Sequence, residues 1–140
     1  MTPKLVLRNV RVLHAAFLAA MFLYVYLLMI VRPVSQDVRT ELIIALGVLA
    51  VADLNAALFF RTRKVKAPEE KLRVRPDDAT ALAEWRAGNI LSFCFAETIC
   101  LFGFLLKFLG AGWKIAGPFF GEATLLMVLW LPRLNVSDAA

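Results

Sequence analysis

An all-α membrane protein with four transmembrane helices is what this sequence predicts, and three observations carry the expectation. The chain has 140 residues, 61% of them hydrophobic, and a mean hydropathy of +0.72, which is more apolar surface than a soluble domain of this size can bury. Its apolar residues collect into four runs, 12–31, 42–60, 87–109 and 113–131, each close to the roughly 20 residues that cross a hydrocarbon core. Its sixteen Lys and Arg residues lie almost entirely between those runs, and mostly on one side. Residues 1–140 are therefore read as a single transmembrane domain.

Lys4, Arg8 and Arg11 precede the first run in the manner of a signal peptide. That run is too long, however, and it ends in IVRPVS without a small-residue cleavage pattern, so it reads as a retained helix. Tyr24 and Tyr26 sit in its Phe/Leu/Met surface, and Pro33 stops it. In the second run Ala50, Asp53 and Ala57 share a face that points into the bundle, since Asp53 would otherwise meet lipid. Residues 61–83 form a polar loop of mixed charge with prolines at Pro68 and Pro76. Asp77 or Asp78 is the N-cap from which ATALAEWRAGN leads into the third helix, with Trp85 and Arg86 at headgroup level. The fourth run holds Gly117-Pro118, and Glu122 follows four residues later, so a kink would free carbonyls beside an acid.

The basic residues set the orientation. Lys4, Arg8 and Arg11, then Arg61, Arg63, Lys64, Lys66, Lys71, Arg73, Arg75 and Arg86, and finally Arg133 fall on one side; only Arg32, Arg39, Lys107 and Lys114 fall on the other. The positive-inside rule places both termini and the 61–83 loop in the cytoplasm, and the expected location is a bacterial inner membrane. The net charge of +5 does not point to nucleic acid, because the basic residues flank spans and are not interleaved with stacking aromatics. Contact with anionic lipid accounts for them.

Three acids lie deep within the apolar runs: Asp53, Glu97 and Glu122, with Asn55 and Asn89 nearby in sequence. Each such group costs about 2.5 to 3.5 kcal/mol to insert, which a Leu/Ile/Val/Phe-rich helix can absorb. At about 1.5 Å per residue all three fall toward the middle of the hydrocarbon, where they could meet in one layer. Desolvation and mutual repulsion favour a neutral form for at least one of them, and a protonated acid can carry a proton. The plainer alternative is that they hydrogen-bond to backbone or Asn and fix helix packing.

Other chemistry is sparsely represented. Cys94 and Cys100 flank Glu97 on one helix, which cannot bring their sulfurs within disulfide range, so both read as buried spectators. His14 is the only histidine, so a multi-histidine metal or haem site from one chain is excluded. It reads as an interfacial aromatic, with proton entry as the alternative. No phosphate loop, nucleophile elbow or zinc motif is present, and no catalytic residue, metal or cofactor is expected.

From Arg86 to Leu109 the sequence RAGNILSFCFAETICLFGFLLKFL resembles the C-terminal helix of the proteolipid (c) subunit of rotary ATP synthases. In that family an arginine at the helix start precedes the ion-carrying carboxylate by the spacing that separates Arg86 from Glu97. Ile90 to Ser92 and Phe95 resemble the approach to that carboxylate, and Phe102-Gly103 the aromatic-glycine pair after it. Lys66-Ala67-Pro68-Glu69 is similar to the family's polar loop. The resemblance implies that Glu97 is a proton or sodium site. The chain departs from the family in its second run, which has Gly47 alone in place of a repeated glycine pattern, and in its first and fourth helices, which have no counterpart.

Two functions follow as expectations. One is a small membrane subunit or accessory protein without catalytic chemistry, packed against other membrane chains or copies of itself. The other is proton or cation translocation through Glu97, assisted by Asp53 and Glu122. An enzyme acting on a lipid or quinone between the helices has only an apolar cavity to motivate it.

Overall fold

The computed structural model describes residues 2–32, 34 and 38–134, and their regular structure is entirely helical. Helix α1 spans Pro3–Ile30, α2 Thr40–Arg61, α3 Ala67–Val74, α4 Ala79–Phe108 and α5 Trp113–Leu129, and a π-helical turn, Thr62–Lys66, joins α2 to α3 without a break. Three of these rods are long and apolar enough to cross a membrane: α1, the continuous Thr40–Val74 rod and α4. The 17 residues of α5 rise about 26 Å and form the shortest of the apolar helices. Pro33, expected to stop the first helix, lies outside the described residues; α1 ends at Ile30.

Helix α4 is the axis of the bundle. Helices α1, α2 and α5 all pack on it, and α1 also touches α5. Phe93 meets the His14 ring of α1 at 5.0 Å, Phe95 stacks on Phe60 of α2 at 5.9 Å, and Gly103 lies under Phe119 of α5. Tyr24 further along α1 meets Phe104, Lys64 beyond α2 meets Gly88, and Met127 of α5 is bonded to the His14 that touches Phe93, so α1 runs parallel to α4 and α2 and α5 antiparallel to it. Close approach is possible because small residues recur along α4: Gly88, Ser92, Ala96 and Gly103 are all buried. At Gly88 a Cβ would collide with the Lys64 backbone.

The segment 61–83 is not the loop its polarity predicts. It is helical from Arg61 to Val74 and again from Ala79, leaving only Arg75 to Asp78 between. Most of its charges are exposed, with Arg73 reaching half-buried Glu69 at 3.4 Å in an i,i+4 pair, while Val65, Pro68 and Leu72 are buried. Pro68 lies in the first turn of α3 and is tolerated in the continuous rod, whose π turn ends just before it. The predicted cap is present: the Asp78 carboxylate accepts a hydrogen bond from the Ala81 N–H at 2.9 Å. Trp85, expected at headgroup level, is 1% exposed, because α3 and the π turn cover the start of α4.

The α4–α5 corner is closed by Gly110 at φ 109°, with Ala111 N–H donating to Leu106 O and Gly110 N–H to Lys107 O. This is the glycine-terminated helix end known as a Schellman motif. At the other end of α5, buried His14 donates through Nε2 to Met127 O at 2.8 Å. A carbonyl in the last turn has no intrahelical partner, so His14, read as an aromatic without a special role, is a buried helix cap that ties α1 to α5.

Candidate functional site

Glu97 stands one turn beyond Phe93 on the α1 side of α4, half-buried. The Tyr24 hydroxyl of α1 donates to its Oε1 at 2.8 Å. The Tyr24 ring is held against Phe104, at 5.6 Å, and Phe104 stacks in turn on Phe108 at 6.1 Å. A phenol can both donate and accept, so this pair can stay bonded whether the carboxyl group is ionised or protonated. Sequence reading noted Tyr24 only as part of an apolar surface. Nothing in the local pattern pairs it with Glu97, because the two are joined across helices.

Asp53 and Glu122 have no such partner among the described residues. Asp53 is half-buried beside buried Ala50 and Ala57, in the seam where α2 packs on α4, and its Oδ2 is buried without a hydrogen bond. Glu122 is half-buried on α5. Among the described residues no hydrogen bond or ion pair joins any two of Asp53, Glu97 and Glu122. Helix α2 meets α4 through Phe95, whereas α1 meets it through Phe93 and Glu97, so Asp53 and Glu97 belong to different seams.

Of the supporting residues, Asn55 is exposed, and its Nδ2 donates to Val51 O of its own helix at 2.7 Å. Asn89 is buried, with Nδ2 donating to Trp85 O at 2.9 Å and Oδ1 unpartnered. Arg86 is half-buried at the mouth of a recess of about 340 Å³ whose walls include Val6, Leu82 and Ile90. Cys94 is exposed and Cys100 buried, both free thiols. No group of three or more metal-binding side chains converges among the described residues.

A second polar cluster went unread in the sequence. Besides Asp53, the buried and unpartnered side-chain atoms of the described residues are Arg61 Nη1, Trp85 Nε1 and Asn89 Oδ1, and all three belong to one cavity at the end of the bundle. The available signal was spacing: Trp85 and Asn89 are four apart on α4, as are Arg61, Val65 and Glu69 along the opposing rod. It carried no weight while residues 61–83 read as a loop. No protein-family model matches the chain, and comparison with curated proteins and with solved structures likewise found no match.

Proposed function

We propose that this chain is a small integral membrane subunit or accessory protein that packs in the bilayer against other membrane chains or further copies of itself. The observation that carries this reading is Asn55. Its amide is exposed within the apolar run 42–60, and its one hydrogen bond among the described residues returns to its own helix at Val51 O. The remaining N–H and carbonyl of that amide have no partner in hydrocarbon, and a neighbouring transmembrane helix would supply one. Around it α2 presents Ile44, Val48, Val51 and Leu58, all exposed. The basic residues favour cytoplasmic termini in a bacterial inner membrane, with α5 as the fourth span.

Native mass spectrometry of the chain released gently from its own membrane tests the reading. A defined complex with other chains, or a homo-oligomer, is expected, and Asn55→Leu should weaken it several-fold while the chain stays folded. A uniform monomer, or a complex indifferent to Asn55→Leu, would overturn the reading.

A second reading is favoured by the Tyr24–Glu97 bond at 2.8 Å: proton or cation translocation through Glu97. A carbodiimide specific for protonated carboxyl groups should then label Glu97 and be blocked at high pH. Glu97→Gln should abolish proton flux in vesicles without changing assembly. Absence of labelling in folded protein sinks this alternative.

A further inference from the structure

Where α2 ends and α4 begins, a cavity of about 240 Å³ is lined by residues that include Arg61, Glu69, Trp85, Asn89 and Arg133. Trp85 and Asn89 are each 1% exposed, yet among the described residues Trp85 Nε1 and Asn89 Oδ1 have no hydrogen-bond partner, and neither has Arg61 Nη1. The sense of the Asn89 amide is fixed: Nδ2 donates to Trp85 O, which can only accept, so Oδ1 remains as a free acceptor. The Arg61 guanidinium lies over the Trp130 ring, 5.1 Å from its centroid. That contact holds the guanidinium against the ring, while its Nη1 keeps its N–H groups unpartnered among the described residues. Arg133 is exposed at the rim, and Glu69, whose Oε1 also meets Arg73 at 3.4 Å, lines the cavity two turns along the rod from Arg61.

The backbone brings these groups together. Across the π turn Arg61, Val65 and Glu69 follow one another at four-residue intervals toward α4, and Trp85 and Asn89 answer them one turn apart. The cavity thus offers buried donors on Arg61 and Trp85, a further guanidinium on Arg133, and acceptors on Asn89 and Glu69. A purely apolar guest would leave every unpartnered atom as it is, and a simple cation would meet two guanidinium groups.

We propose that this cavity binds a phosphate group that carries a hydrogen-bond donor close by, as the headgroup of an ethanolamine phospholipid does. The phosphate oxygens accept from Arg61, Trp85 and Arg133, and the ammonium donates to Asn89 Oδ1 and Glu69. The site lies at the ends of the apolar runs, the level at which headgroups sit. A soluble phosphate monoester has the same chemistry, and the competing occupant is water alone, of which the volume would hold about eight molecules.

The test uses the full chain in mild detergent, with bound lipid read by native mass spectrometry and stability read by thermal unfolding. The probes are phosphatidylethanolamine, phosphatidylcholine (which keeps the phosphate but has no N–H), O-phosphoethanolamine and inorganic phosphate. Phosphatidylethanolamine should be retained and should raise the unfolding temperature more than phosphatidylcholine does. Trp85→Phe, which keeps a ring and removes the N–H, and Arg133→Gln, at an exposed position, should each weaken that binding by roughly tenfold. Equal stabilisation by O-phosphoethanolamine or inorganic phosphate, lost in the same variants, would assign the site to a soluble phosphate. Without ligand, Trp85→Phe should still fold, so its loss of lipid binding is read against its own unliganded unfolding temperature. If no phosphate compound is retained or stabilises, or if both variants bind as wild type does, the cavity holds water and the proposal fails.

Discussion

Helices α2 and α4 look alike as sequence and differ most as structure. The apolar core of α2 is the more hydrophobic of the two, yet only 17% of it is buried inside the bundle, against 44% for α4. Hydrophobicity in a membrane chain reports transfer into lipid, and lipid tails solvate Leu and Ile as well as another helix does. Burial follows small residues instead. Gly88, Ser92, Ala96 and Gly103 let three partners close on α4, whereas Gly47 of α2 has nothing within 4 Å of where its Cβ would stand.

The sharpest way to break this comparison is a pair of glycine substitutions. Gly88→Val should cost about 3 kcal/mol or more in reversible unfolding from mixed micelles, because its Cβ meets the Lys64 backbone, which cannot rotate away. Gly47→Val should be close to neutral in the same assay, and equal losses at both positions would dissolve the distinction. A pair of phenylalanines comes next. Phe93→Ala, at a fully buried position, should cost about 3 to 5 kcal/mol, whereas Phe22→Ala, 68% exposed, should change stability by no more than about 0.5 kcal/mol.

Smaller effects sharpen the same contrast at helix ends and seams. α4 opens with a side-chain cap and α2 does not, so Asp78→Ala should cost about 1 kcal/mol while Arg39→Ala at the start of α2 changes little. Tyr24→Phe should cost only about 0.6 kcal/mol, the usual worth of a side-chain hydrogen bond between membrane helices. Its larger consequence should be chemical, with faster carbodiimide labelling of Glu97 once the phenol no longer covers Oε1. Unchanged labelling would mean that the phenol does not govern access to the acid.

Local rules were enough for part of this architecture. The apolar runs locate α1, α2, α4 and α5, and the Asp77-Asp78 pair after Pro76 marks the start of α4, with Asp78 the one that caps it. The same rules failed at 61–74, where a charged exposed face hid the buried stripe of Val65, Pro68 and Leu72 that α4 needs as a partner. Glu97 was legible as an acid within an apolar run, but its bond to Tyr24 was not, and neither was the reach of His14 to the last turn of α5. Each of these pairs lies far apart along the chain, so neither residue carries a mark of the other.

By itself the sequence determined that the chain is helical and apolar enough for a membrane, where its charges lie, and which polar residues must be accommodated within its apolar runs. Those are properties of composition and period, and they hold whichever helices become neighbours. Only the tertiary structure decided that α4 is the axis, that Asp53 and Glu97 sit in different seams, and that Arg61, Trp85 and Asn89 surround one cavity. The physical reason is that packing inside lipid is selected by backbone approach and hydrogen-bond geometry between helices, and neither is encoded in hydrophobicity along a single one.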